Sequence, residues 1–116
     1  MPLRGHTALV SGGLGDIGRA TVMELARAGA SVGFCDLRPA SDAAELLEAV
    51  TAAGSTGRYS VTDVTNAAAV AGWVAGVGRE LGTPDIVVVN AAIVSVAPLA
   101  QLTTRLCGGR DSGPTP

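Results

Sequence analysis

The chain predicts an open, parallel α/β sheet flanked by helices, and three observations carry that expectation. Short apolar runs alternate with helix-forming stretches from residue 7 to residue 90. The composition is 47% hydrophobic but only 3% aromatic, a mixture of Ala, Val and Leu suited to parallel strands covered on both faces. A glycine-rich segment, Gly12-Gly13-Leu14-Gly15-Asp16-Ile17-Gly18, stands between the first apolar run and the first helical stretch. Alternation of this kind implies right-handed crossovers between parallel strands.

Taken in order, the elements are a strand at 7–11, a helix at 16–28, a strand at 31–35, a helix at 41–53, a strand at 57–61, a helix at 66–81 and a strand at 85–90. The third helix is the best formed by pattern. Thr65 is placed to cap it, and Val70, Trp73, Val74, Val77 and Leu81 fall on one face, which makes Trp73 core packing. In the second, Ala43, Leu46, Leu47 and Val50 share a face, with Ser41 as a cap and Gly54 just past the end. The first shows a stripe of Ile17, Thr21 and Leu25, interrupted by Glu24, which the pattern leaves unexplained.

The glycine segment has a chemical reading. Glycines let the chain turn sharply and leave backbone N–H groups free at a helix N-terminus, whose partial positive charge attracts a pyrophosphate. Gly12, Leu14, Gly15, Asp16, Ile17 and Gly18 are therefore candidate cofactor-binding residues. The spacing alone is weak, because glycine supplies 16 of the 116 residues. Weight is added by Asp36, which ends the second strand 18 residues beyond Gly18. A carboxylate at about that distance accepts hydrogen bonds from the adenosine ribose hydroxyls of a dinucleotide. It would repel a 2′-phosphate, favouring NAD over NADP, while Arg38 keeps NADP as the lesser alternative. The competing reading is that Asp36 only starts a turn ahead of Pro39.

Other function classes are poorly served. The net charge is −2 and the eight basic residues, all arginine, are scattered, so nucleic acid is not an expected partner. The most apolar stretch, 86–99, is broken by Asn90, Ser95 and Pro98 and falls short of the roughly 20 residues of a membrane helix. No charged n-region followed by an apolar stretch opens the chain, which points to the cytoplasm. Cys35 and Cys107 suggest neither a disulfide framework nor a metal site, and His6, the one histidine, reads as a surface residue without a paired carboxylate at helical spacing.

From the glycine turn to about residue 100 the chain resembles the short-chain dehydrogenase/reductase family. Besides the turn and Asp36, the resemblance rests on Val61-Thr62-Asp63-Val64-Thr65 and on Asp85-Ile86-Val87-Val88-Val89-Asn90-Ala91-Ala92-Ile93, the latter similar to the family's fourth strand and Asn-Asn-Ala-Gly sequence. It implies the first half of a Rossmann-type doubly wound sheet, in strand order 3-2-1-4, that binds NAD. It further implies that Asp63 and Val64 hold the adenine. Asn90 would brace the central sheet, and the adjoining backbone of Ala91 and Ala92 would line the cofactor ribose. Read without the family, Asp63 and Asn90 each cap a strand end or helix start.

The chain departs from the family pattern in several places. Ser11 replaces the usual threonine, Asp16 stands where the second glycine belongs, Val89 replaces an asparagine and Ala92 a glycine. Asp16 is expected to cap the first helix with its carboxylate turned from the pyrophosphate. The spacing of Gly12, Gly15 and Gly18 also fits the family's extended, epimerase-like branch, an alternative that the Asp63 and Asn90 segments disfavour. Hydride transfer in the family uses a Tyr-x-x-x-Lys pair and a serine. This sequence contains no lysine, and its single tyrosine, Tyr59, lies far upstream of where the catalytic one belongs. No catalytic residue is therefore assigned.

The expected organisation is a partial nucleotide-binding domain over 1–102 and a disordered tail over 103–116, rich in glycine, proline and small polar residues. A broken or truncated reading frame near Thr103 would account for that change of character. The resulting fragment would be inactive alone, would meet a small-molecule substrate only in a full-length relative, and would tend to self-associate through an exposed fourth-strand edge. A stand-alone NAD(P)-binding module is the alternative function.

Overall fold

Four parallel strands form one sheet in the order β3-β2-β1-β4 in the computed structural model, which describes residues 2–90. The expectations for Ala91, Ala92, Ser95, Cys107 and the tail lie outside those residues. The strands are β1 (Thr7–Ser11), β2 (Ser31–Asp36), β3 (Gly57–Val61) and β4 (Ile86–Val89). They are joined by α1 (Asp16–Arg27), by a 3-10 turn (Ala40–Ala43) leading into α2 (Ala44–Ala52), and by α3 (Ala67–Glu80). β1 pairs on one side with β2, Val10 opposite Phe34, and on the other with β4, Val10 opposite Val88. β2 pairs with β3, Phe34 opposite Tyr59 and Asp36 opposite Val61.

Side chains alternate across a strand, so the sheet feeds two cores. On one face Val10, Val32 and Phe34 meet Val22 and Ala26 of α1 and Leu46 and Val50 of α2. On the other, Leu9 and Cys35 meet Val70, Trp73 and Val77 of α3. Gly33 of β2 makes the second packing possible, because a Cβ there would stand 2.3 Å from Val77 Cγ2. Trp73 is core, as expected, although its indole N–H has no hydrogen-bond partner among the described residues.

Several local expectations are corrected. α1 buries Gly18, Val22 and Ala26, whereas Ile17 is 73% exposed, so the inward stripe lies one position on from Ile17, Thr21 and Leu25. Glu24 then needs no core partner; it is exposed and pairs with Arg27 at 3.4 Å. Asp16 does not cap α1: Gly15 holds the cap position and Asp16 sits exposed in the first turn. Ser41 makes no cap bond, because residues 40–43 wind as a 3-10 turn and Ala43 occupies the cap position of α2. Asn66 rather than Thr65 caps α3, its Oδ1 accepting the Ala69 N–H at 3.0 Å. The Thr65 hydroxyl is engaged elsewhere, donating to Asp63 Oδ1 at 2.6 Å.

His6 and Asp85 add a contact that the sequence reading lacks. Nδ1 of His6 stands 2.6 Å from Asp85 Oδ2, and Asp85 Oδ1 accepts the Thr7 N–H at 3.1 Å, joining the start of β4 to the start of β1. The bond to His6 is the main cause that holds the Asp85 carboxyl below its usual range. Among the described residues β4 is an edge strand. Val87 is exposed there, while Ile86, Val88 and Val89 are half-buried and Val88 packs against the α1–α2 core. No helix among the described residues is long and apolar enough to cross a membrane, and none of their His, Cys, Asp and Glu side chains cluster as a metal site.

Candidate nucleotide site at the carboxyl edge of the sheet

The carboxyl ends of β1, β2 and β4 meet at the glycine turn, and backbone packing decides its sequence. Gly12 has φ +67°, and a Cβ on it would lie 3.0 Å from the Asn90 carbonyl oxygen. Gly13 donates its N–H to the Cys35 carbonyl at 3.0 Å and lies flat on Phe34, where a Cβ would be 2.8 Å from the ring carbon Cδ2. Gly18 is the most confined, since its Cβ would stand 1.9 Å from Gly12 O. The turn therefore folds back on the first turn of α1. Gly15, at the cap position, offers no side chain, so no side-chain cap competes for the N–H groups there. Free N–H groups at a helix N-terminus, approached by a backbone with no side chains in the way, suit a phosphate.

Asp36 closes this arrangement from β2. Its Oδ2 accepts the Leu14 N–H at 3.1 Å and its Oδ1 accepts the Leu37 N–H at 2.7 Å, so the carboxylate lies against the turn itself. Arg38 reaches the same residue from the other side, Nη1 donating to the Leu14 carbonyl at 3.4 Å. The two side chains bracket Leu14, whose own side chain is buried. From β4, the Asn90 N–H donates to the buried Ser11 hydroxyl at 3.2 Å, which docks the end of β4 on the turn. The Asn90 Nδ2 is buried there without a partner among the described residues, a donor left over beside the turn.

The structure thus gathers Gly12, Leu14, Gly15, Gly18, Asp36 and Asn90 at one place, with Asp16 and Ile17 exposed on the first turn of α1 beside it. Asp63 and Val64 lie one step further along the edge, where the Thr62 N–H donates to the Asp36 carbonyl at 3.0 Å. Asp63 is exposed, and its bonds from the Thr65 hydroxyl and N–H hold its carboxyl below the usual range. Val64 packs half-buried against the α3-side core. Cys35 is fully buried under this edge, and burial pushes its thiol up to about 12, which removes it as a nucleophile.

Tyr59 is a residue whose place the sequence reading left without a role. Its ring packs on Phe34 at a centroid distance of 5.3 Å, and its hydroxyl donates to the Arg38 carbonyl at 2.5 Å. Only the pairing register of β2 with β3 brings these residues together, and register is not written in the local pattern.

An open parallel sheet with a glycine turn at its carboxyl edge defines an α/β protein of the doubly wound class, in which ligands bind at that edge. The family model for short chain dehydrogenases matches residues 6–106, and the chain belongs to that family of oxidoreductases. It is 37% identical over 103 residues to the hydroxynaphthalene reductase of Aspergillus fumigatus, covering 89% of this chain and 38% of that protein. It is 40% identical over 93 residues to the 3-oxoacyl-[acyl-carrier-protein] reductase of Pseudomonas aeruginosa, covering 80% and 37%. The short-chain dehydrogenase/reductase homolog YusS of Bacillus subtilis is 37% identical over 95 residues, which is 82% of this chain and 87% of YusS. Among solved structures, the short-chain dehydrogenase/reductase of Serratia marcescens superposes with a TM-score of 0.76 at 34% identity over 92% of this chain and 46% of its own. An NAD+-bound xylitol dehydrogenase does so with a TM-score of 0.70 at 32% identity over 75% and 33%. The chain thus spans less than half the length of most of these relatives.

Proposed function

We propose that this chain is the cofactor-binding part of an NAD-dependent oxidoreductase of the short-chain family, whose reaction moves a hydride between NAD and an alcohol or carbonyl substrate. The observation that carries the reading is the placement of Asp36. A carboxylate resting on the N–H of Leu14, beside a turn whose close backbone packing requires glycine, stands where a ribose diol would meet it. In this reading the N–H groups of Asp16, Ile17 and Gly18, at the N-terminus of α1, take the pyrophosphate, Asp36 takes the adenosine ribose, Asp63 and Val64 flank the adenine, and Asn90 with the backbone of Ala91 and Ala92 lines the second ribose. The dinucleotide would accept the hydride from an alcohol, or in its reduced form give one to a carbonyl; these residues would bind and orient it.

Selectivity follows from charge. Asp36 repels a 2′-phosphate, and Arg38 directs one of its N–H groups to the Leu14 carbonyl, so the carboxylate decides and NAD is the favoured form. We further infer that the chain by itself binds cofactor without turnover, because it has no lysine to pair with a catalytic tyrosine and its one tyrosine lies in β3. Isothermal titration of the chain with NAD and NADP tests both points. Saturable NAD binding that exceeds NADP binding, and that Asp36→Ala reverses, is the expected result. Equal binding of the two dinucleotides, or none at millimolar concentration, would overturn the proposal, as would hydride transfer by the purified chain from any alcohol to NAD or from NADH to any ketone.

A further inference from the structure

We infer that Tyr59 is a positioning residue for cofactor discrimination, holding the loop after β2 so that Asp36 faces the ribose 2′-hydroxyl and Arg38 stays on the turn. The inference rests on the dinucleotide reading above and adds to it a residue outside the cofactor site. Loop 37–39 is exposed along its length and contributes no side chain to either core. Its backbone is tied down at three places. The Leu37 N–H is held by the Asp36 side chain, the Pro39 carbonyl by the Asp42 N–H, and the Arg38 carbonyl by the Tyr59 hydroxyl.

The first two ties are local to the loop and the turn that follows it. The third anchors it to the sheet, because the Tyr59 ring is fixed on Phe34, a fully buried residue of β2. Arg38 is thus held at both ends. Its carbonyl is fastened to β3 through Tyr59, while its guanidinium reaches the Leu14 carbonyl 24 residues earlier in the chain. Burial and the nearby Asp36 charge push the Tyr59 phenol up to about 12, so it remains a donor throughout the working pH range. A loop released at Arg38 frees the guanidinium to meet a 2′-phosphate and lets the Leu37 N–H leave the Asp36 carboxylate, whose backbone stays paired in β2.

Tyr59→Phe removes the hydroxyl and keeps the ring on Phe34. A single neutral hydrogen bond in such a setting corresponds to about a three- to ten-fold change in an equilibrium constant. The expected result for the variant is an NAD dissociation constant raised by about that factor, an NADP constant raised by less, and a smaller ratio between the two. Hydrogen exchange at the Leu14 and Leu37 amides quickens in the same variant. Loss of stability alone would weaken both dinucleotides equally, so equal shifts, or no shift, overturn the inference. If the unaltered chain binds neither dinucleotide, the cofactor reading fails on its own, and the exchange measurement still decides the geometry: unchanged rates at Leu14 and Leu37 overturn the anchoring role, faster rates uphold it.

Discussion

Gly18 and Gly72 offer a matched pair of substitutions whose outcomes the structure sets in opposite directions. Both lie within helices, Gly18 in α1 and Gly72 in α3. In an open helical position, replacing glycine by alanine stabilises by about 0.5–1 kcal/mol, because the unfolded chain loses freedom and the helix gains a good former. Gly72 is such a position, with nothing within 4 Å of an added Cβ. At Gly18 the same Cβ would sit 1.9 Å from Gly12 O and 2.8 Å from Gly13 Cα, and both obstacles are backbone. Neither obstacle is a flexible side-chain end, so the turn has to move by more than an ångström. Overpacking of this kind costs about 1–3 kcal/mol, more than the propensity gain. In a domain of this size each kcal/mol moves the thermal midpoint by about 4–8 °C. Thermal unfolding followed by circular dichroism should therefore show Gly72→Ala a few degrees above the unaltered chain and Gly18→Ala several degrees below it. In the dinucleotide reading Gly18→Ala also loses NAD binding, which Gly72→Ala keeps. Two variants of equal midpoint, or a Gly18→Ala that gains stability, would refute the claim that backbone contact across the turn dictates glycine at Gly18.

Two further outcomes follow from the same packing and charge arguments. Gly33→Ala drives a methyl into Val77 and should cost about 1–3 kcal/mol in urea unfolding, whereas adding Val77→Ala in the same chain restores part of the loss; strict additivity of the two changes would contradict the face-to-face packing of β2 on α3. The Asp85 carboxyl, held below its ordinary value of 3.8 chiefly by His6, adds stability that is present above about that pH and is lost as the pH falls through its lower folded value. Urea midpoints measured down from pH 6 should accordingly fall more steeply in acid for the unaltered chain than for Asp85→Asn, and parallel curves would show that the pair contributes nothing.

Much of the site was legible because its causes are local. A strand, a glycine turn and a helix N-terminus occupy consecutive residues, and Asp36 ends the next apolar run, so residue type and spacing name Gly12, Gly15, Gly18 and Asp36 without coordinates. Caps were less legible, since Thr65 and Asn66 are both good capping residues one position apart, and the choice between them turns on whether Asp63 engages the threonine first. The rotation of α1 was hidden for a different reason. Hydropathy puts Ile17 inward, but the close approach of Gly18 to Gly12 fixes the helix phase and turns Ile17 out to solvent.

The sequence by itself determined the order of the elements, the parallel sheet and the position of the glycine turn, since periodicity and glycine content act over a few neighbouring residues. Tertiary structure alone decided the contacts between distant segments. It set His6 against Asp85, 79 residues away, packed the tilted Tyr59 ring against Phe34 with its hydroxyl on the Arg38 backbone, and laid the Asp36 carboxylate on Leu14 rather than free in solvent. Those contacts depend on strand register and helix phase, which become fixed only when both faces of the sheet are packed at once.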